Sequence, residues 1–106
     1  MSYKWPNKDP DEILDYSVDW SRWLGTGVTI SSVAWFVDNA SGAKTAFDAT
    51  DVVNGLQNVS QTNTSTVATI NLGLGTVNKE YKIYCRITDS SGSIAERVIK
   101  LNIKEN

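Results

Sequence analysis

The stretch that decides the fold runs from Tyr81 to Ile103, YKIYCRITDSSGSIAERVIKLNI. In it Tyr81, Ile83, Cys85 and Ile87 alternate with Lys82, Tyr84, Arg86 and Thr88. That two-residue period sends apolar side chains to one face of a β-strand and polar ones to the other. Asp89-Ser90-Ser91-Gly92 then reads as a turn, because Asp and Ser side chains bond nearby backbone and Gly tolerates positive φ. Beyond it Ile99, Leu101 and Ile103 alternate with Lys100, Asn102 and Lys104, so the returning strand carries the same division. A two-stranded ribbon is marginal alone, and its apolar face must be covered by the rest of the chain.

The rest of the chain supplies short strands. ILDYSVDW, Ile13 to Trp20, puts Leu14, Tyr16, Val18 and Trp20 on one face and Asp15, Ser17 and Asp19 on the other. Val28 and Ile30 share one parity while Val33, Trp35 and Val37 share the other, which predicts a bulge or break at Ser31-Ser32. Asp38 to Gly42 is a second turn, followed by a short strand over Lys44 to Phe47. Residues 48–61 are polar, with Leu56 and Val59 as the expected anchors, and hold a short strand or half a turn of helix. Alternation resumes over Thr62 to Leu74, with Ala68, Ile70, Leu72 and Leu74 expected inside. About seven strands with frequent turns and no helical period predict an all-β antiparallel sandwich over residues 13–104. The final hairpin resembles the last two strands of immunoglobulin-like and fibronectin III-like domains, with Tyr81 as a candidate tyrosine corner.

Residues 1–12 read differently. They hold both prolines, Pro6 and Pro10, show no periodicity, and form an extended N-terminal arm. Tyr3 and Trp5 are costly to leave in water, so the arm docks, either on its own domain or on a neighbour. Both destinations remain open from the sequence.

Composition excludes several functions. The chain of 106 residues, 41% hydrophobic and 21% charged, suits one globular domain. A net charge of -2, with ten Lys and Arg scattered along the chain, argues against a nucleic-acid partner. No apolar run is long enough for a membrane span, and the opening MSYKWPNKDPDE has no apolar signal-peptide core, so synthesis in a cytosol is expected. The single cysteine, Cys85, has inward parity and reads as a small core residue. Asn39-Ala40-Ser41, Asn58-Val59-Ser60 and Asn63-Thr64-Ser65 match the glycosylation sequon by chance in a Ser/Thr/Asn-rich chain.

Catalysis has little to work with. There is no histidine, hence no usual general base or nucleophile activator. The densest acidic group, Asp9, Asp11, Glu12, Asp15 and Asp19, invites a calcium reading, but Asp15 and Asp19 lie about 13 Å apart along a strand and no EF-hand glycine loop is present. A solvated or partner-facing surface is the better reading, and no metal, cofactor or catalytic residue is assigned. Four tryptophans are the less usual feature. Trp20 and Trp35 have core parity; Trp5 and Trp23 read as protein-interface anchors or sugar-stacking platforms, with a loop plug over the end of the sandwich as the favoured reading for Trp23. Arg97 shares the inward parity of Ile99 and is expected to pair with Asp19 or Asp89.

Lys8-Asp9-Pro10-Asp11-Glu12, Leu14-Asp15-Tyr16 and Asp19-Trp20, with Cys85-Arg86-Ile87 and Glu96-Arg97 downstream, resemble a family of small tailed-bacteriophage virion proteins described as fiber-tail adaptors. The resemblance implies a non-enzymatic part of the virion, made in the host cytoplasm. It would be present in several copies around a symmetric tail or neck, joining tail or neck proteins to fibers or spikes. On this reading Tyr3, Trp5, Lys8, Asp9, Asp11 and Trp23 are the candidate partner-binding residues, the arm clasps a neighbouring subunit, and the sandwich loops hold the fiber. The competing expectation is a carbohydrate-binding or host-adhesion module in which Trp5, Trp23 and the 48–61 loop face sugar.

Overall fold

The structure is a computed structural model that describes residues 3–105; Met1, Ser2, Asn106 and the side chain of Tyr3 lie outside the described part. Nine strands and no helix occur among the described residues. In chain order they are β1 (Tyr3–Lys4), β2 (Leu14–Asp19), β3 (Ile30–Asp38), β4 (Lys44–Ala46), β5 (Val52–Val53), β6 (Leu56–Asn63), β7 (Val67–Leu74), β8 (Glu80–Asp89) and β9 (Ile94–Asn102). They form a five-stranded sheet in the order β1-β9-β8-β3-β4 and a four-stranded sheet in the order β2-β7-β6-β5. The chain changes sheet after β1, after β2, after β4 and again after β7, so consecutive hairpins end up facing each other in a sandwich.

The β8–β9 hairpin has the register its alternation predicts, with Tyr81 opposite Leu101, Ile83 opposite Ile99 and Cys85 opposite Arg97. Its inward residues meet Trp35 and Val37 of β3 and, across the sandwich, Leu56, Ala68, Ile70 and Leu72 of β6 and β7, all within one buried cluster. The turn closes on the Asp89 carboxylate, where one oxygen accepts hydrogen bonds from the Ser91 N–H, the Ser91 hydroxyl and the Ser93 N–H. Trp20, Trp35 and Cys85 are buried as their parity requires. The irregular register between Ile30 and Ser32 marks the expected parity change.

Five expectations are corrected. Residues 48–61 contain β5, a tight turn and most of β6; Asn54 and Gly55 both have positive φ, 52° and 86°, between the paired Val53 and Leu56. This is the backbone of a two-residue hairpin turn that favours Asn-Gly. Within β6 Asn58, two residues on from the buried Leu56, is inside in place of Val59, which falls in the register shift between Asn58 and Ser60; the Asn58 amide donates to Phe47 O and Gln61 Oε1. The segment 62–74 is the end of one strand and the whole of another, separated by a turn in which the Thr64 hydroxyl accepts from the Val67 N–H. Leu74, expected inside, is 50% exposed, because its φ of 58° turns the side chain off the inward row. Arg97 pairs with neither Asp19 nor Asp89 but lies over the Trp20 ring, 4.7 Å from its centre, a cation–π contact that leaves the guanidinium at the sandwich rim.

Tyr81 ties the two sheets at one end. Its hydroxyl accepts from the Thr76 N–H at 2.9 Å and donates to Asn54 O at 2.7 Å, bonds of the tyrosine-corner kind. Gly55 is packed beneath it: a Cβ there would stand 2.7 Å from Thr76 Oγ1.

Candidate functional site

The N-terminal segment lies on its own domain. β1 pairs in parallel with β9, and Lys8 bridges to Ile103 in the same sense. Backbone bonds from Trp5 N–H to Lys100 O, Lys8 N–H to Asn102 O and Lys104 N–H to Lys8 O hold it there. From Lys4 to Lys8 the segment advances four residues while β9 and its continuation advance three, Lys100 to Ile103, so one residue is out of step. Pro6 stands in that interval and has no N–H to offer a ladder. The half-buried Trp5 ring stacks on Tyr16 with 4.8 Å between centroids and an angle of 25°, and contacts Trp35 at 6.2 Å. The Tyr16 hydroxyl donates in turn to Pro6 O at 3.4 Å.

Lys8 is fully buried. Its ammonium donates to Leu74 O at 2.6 Å and to Asp9 O at 2.8 Å, tying the arm to the end of β7 at the point where Leu74 leaves strand geometry. Burial pushes its pKa below the ordinary lysine value, against the opposing pull of Glu12, Asp9 and Asp11. Asp9 to Glu12 close a compact turn: Asp9 N–H donates to Glu12 Oε1, Glu12 N–H to Asp9 O, and Asp11 N–H to Asp9 Oδ1. The acidic motif therefore aims Lys8 inward and starts β2.

The candidate residues thus fall into two groups. Trp5 and Lys8 are built into the sandwich, while Asp11 and Trp23 are exposed and Asp9 is half-buried. Trp23 meets Trp20 edge-on at 5.9 Å, capping that end of the core with one side open to solvent. Among the described residues no group of three or more His, Cys, Asp or Glu side chains is placed to hold a metal ion. Burial pushes the Cys85 thiol up to about 12, which keeps it protonated and unreactive at neutral pH.

A surface that the sequence reading did not single out lies on the outer face of the five-stranded sheet. Phe36 of β3 stands opposite Tyr84 of β8, and Arg86 stands between Ala34 and Glu96. Glu96 Oε1 receives Lys44 Nζ at 2.6 Å and Arg86 Nη2 at 3.1 Å. Lys44 lies 4.9 Å from the Phe36 ring centre and 4.8 Å from that of Tyr84, and Arg86 lies 4.8 Å from Phe36. The Tyr84 hydroxyl donates to Asp38 Oδ1 at 2.7 Å, and this bond first, with desolvation second, pushes its pKa up to about 12. The side chains are half-buried or exposed and contact one another in the free protein, which lowers the entropy to be lost on docking. Aromatics and Arg in such a setting are the residue types that dominate protein interfaces. The signal was present in the sequence as the outward parity of Tyr84 and Arg86.

No curated protein matches the chain. A family model described as podophage GP4 fiber-tail adaptor protein gp77 matches residues 8–102, a span that opens on the buried Lys8 and closes at the end of β9. With nearly the whole sandwich inside that match, this chain belongs to the podophage GP4 fiber-tail adaptor family.

Proposed function

We propose that the protein connects the podophage tail to its fibers or spikes purely through protein–protein contacts, in several copies arranged by the symmetry of the tail. Membership of the adaptor family supports a structural connector role in the virion tail. The observation that carries the finer reading is the outer face of Phe36, Tyr84, Arg86, Lys44 and Glu96, whose mutual contacts and aromatic and Arg composition are those of a docking surface. That face takes one neighbour. The exposed Trp23 and Asp11, with the half-buried Asp9 and with Tyr3, are the proposed contacts to another. No step of bond chemistry is assigned to the protein, which is synthesised in the host cytoplasm and retained in the particle.

The test is a phage with the reading frame interrupted and complemented in trans. Particles made without the protein should retain tails but lose fibers, and complementation should restore them. Fibers attached in normal number without the protein would refute the connector role. Specific binding of the purified chain on a glycan array would favour the adhesion reading; the stacking of Trp5 on Tyr16 leaves that ring poorly placed as a sugar platform.

A further inference from the structure

The two sheets have four edges, and at three of them the outermost strand is short and covers only part of its neighbour: β1 and β5 have two residues each and β4 has three. The fourth edge, β2, has six residues in continuous register with β7, without a bulge, proline or lysine. Natural sheets generally protect long edges by such devices, because an open row of N–H and C=O groups templates further pairing. Parity identifies which groups are open. Trp20 N–H donates to Thr66 O, and Trp20 and Thr66 continue the register that pairs Val18 with Ala68 and Tyr16 with Ile70. The even residues of β2 therefore bond to β7, and the N–H and C=O groups of Asp15, Ser17 and Asp19 point away from it.

Resting on the connector reading above, the geometry points to β2 as a site of β-strand addition for an extended segment of another virion protein that carries two basic residues four positions apart. In an added strand, the residues opposite Asp15 and Asp19 share the outer face with those carboxylates, both of which are exposed. Lys or Arg four residues apart matches them. The intervening residues turn inward, towards a groove of about 290 Å³ lined by Lys4, Trp5, Ser17, Val18, Asp19 and Ile99, which accepts apolar side chains. A second copy of β2 is excluded by charge: antiparallel pairing about Ser17 sets Asp15 against Asp19 at both ends, and like charges directly opposite destabilise a ladder. The occupant thus carries its two basic residues outward and apolar ones inward, and comes from a different chain.

The peptide acetyl-Gly-Lys-Val-Thr-Val-Lys-Gly-amide is a direct probe, titrated against the full chain while amide exchange is followed by NMR. Exchange at Asp15, Ser17 and Asp19 should slow about tenfold at roughly nine-tenths occupancy, with no change along β4. The same peptide with Glu for Lys should have no effect on the wild type and should protect the D15K/D19K protein. Ser17→Pro removes an outward N–H and no ladder bond, so it should abolish protection while leaving exchange at Trp20 unchanged. Absence of protection at saturating peptide, equal protection by the Glu peptide, or normal binding by S17P would overturn the assignment. If fibers still depend on the protein in the interrupted phage while the peptide fails, the edge is wrong and the connector role stands. If fibers attach without the protein, the connector role itself is wrong.

Discussion

Replacing Lys8 tests whether the arm is part of the domain. The side chain is fully buried and donates to Leu74 O and Asp9 O. Lys8→Ala removes three buried methylenes, about 2.4 kcal/mol at ~0.8 kcal/mol each. It also leaves two carbonyls without a charged donor, a loss partly offset because the ammonium no longer has to be desolvated. The expected net cost is about 3–5 kcal/mol. Lys8→Met keeps an apolar stem and also lifts the desolvation penalty, so it should cost only about 1–2 kcal/mol. At roughly 4–8 °C per kcal/mol for a domain of this size, Ala should lower Tm by about 12–40 °C and Met by about 4–16 °C. The pH profile adds a second readout. Burial holds the ammonium below its ordinary pKa, so the folded state binds fewer protons than the unfolded one in the alkaline window between the two values. Stability from this group therefore rises with pH there, and Lys8→Met should flatten that rise. Urea melts followed by tryptophan fluorescence, with amide exchange at Trp5 and Lys104, would show the loss. An Ala variant within about 0.5 kcal/mol of wild type, or exchange at Trp5 already fast in the wild type, would refute the lock.

Three further outcomes follow from the same contacts. Tyr81→Phe orphans Thr76 N–H and Asn54 O and should cost about 1–3 kcal/mol in urea melts; a neutral result would mean that the corner bonds add nothing. The Asp89 carboxyl is held below its ordinary pKa chiefly by the Ser91 hydroxyl and, against desolvation, by the Ser93, Ser91 and Gly92 N–H groups. Its stabilisation is therefore complete above the unfolded value near ~3.9 and lost as pH falls through the lower folded value; Asp89→Asn should remove that part of the acid transition measured by circular dichroism. Cys85, buried and with its thiol pKa pushed up to about 12, should resist iodoacetamide at pH 8 in the native protein and react on unfolding, so that fast native labelling followed by mass spectrometry would contradict its place in the core.

Much of the sandwich was legible because period-two alternation and burial agree residue by residue. Ile83, Cys85, Ile87, Trp35 and the inward row of β2 all lie where parity places them. The failures have physical causes. Asn54-Gly55 carried the hairpin signal in the 48–61 stretch, but its flanking strand β5 has only two residues and too little pattern to expose it. Asn58 is inside because it shares the parity of the buried Leu56, and its amide finds Phe47 O and Gln61 within reach, partners not visible from spacing. Leu74 departs from its row by a single backbone angle. Lys8 is the sharpest case: the sequence offers it as a partner-binding candidate, and only the fold reveals the carbonyl at the end of β7, distant in sequence, that its ammonium meets. The acidic residues around it, read first as a binding motif, also shape the turn that aims it.

The connector role is tested most directly by a cryo-electron microscopy map of the intact particle. The map should place this sandwich between tail and fiber, with the Phe36–Tyr84–Arg86 face against one neighbour, a foreign strand along β2, and the arm still on β9. A particle in which fibers meet the tail directly, with this chain absent from the junction, would contradict it.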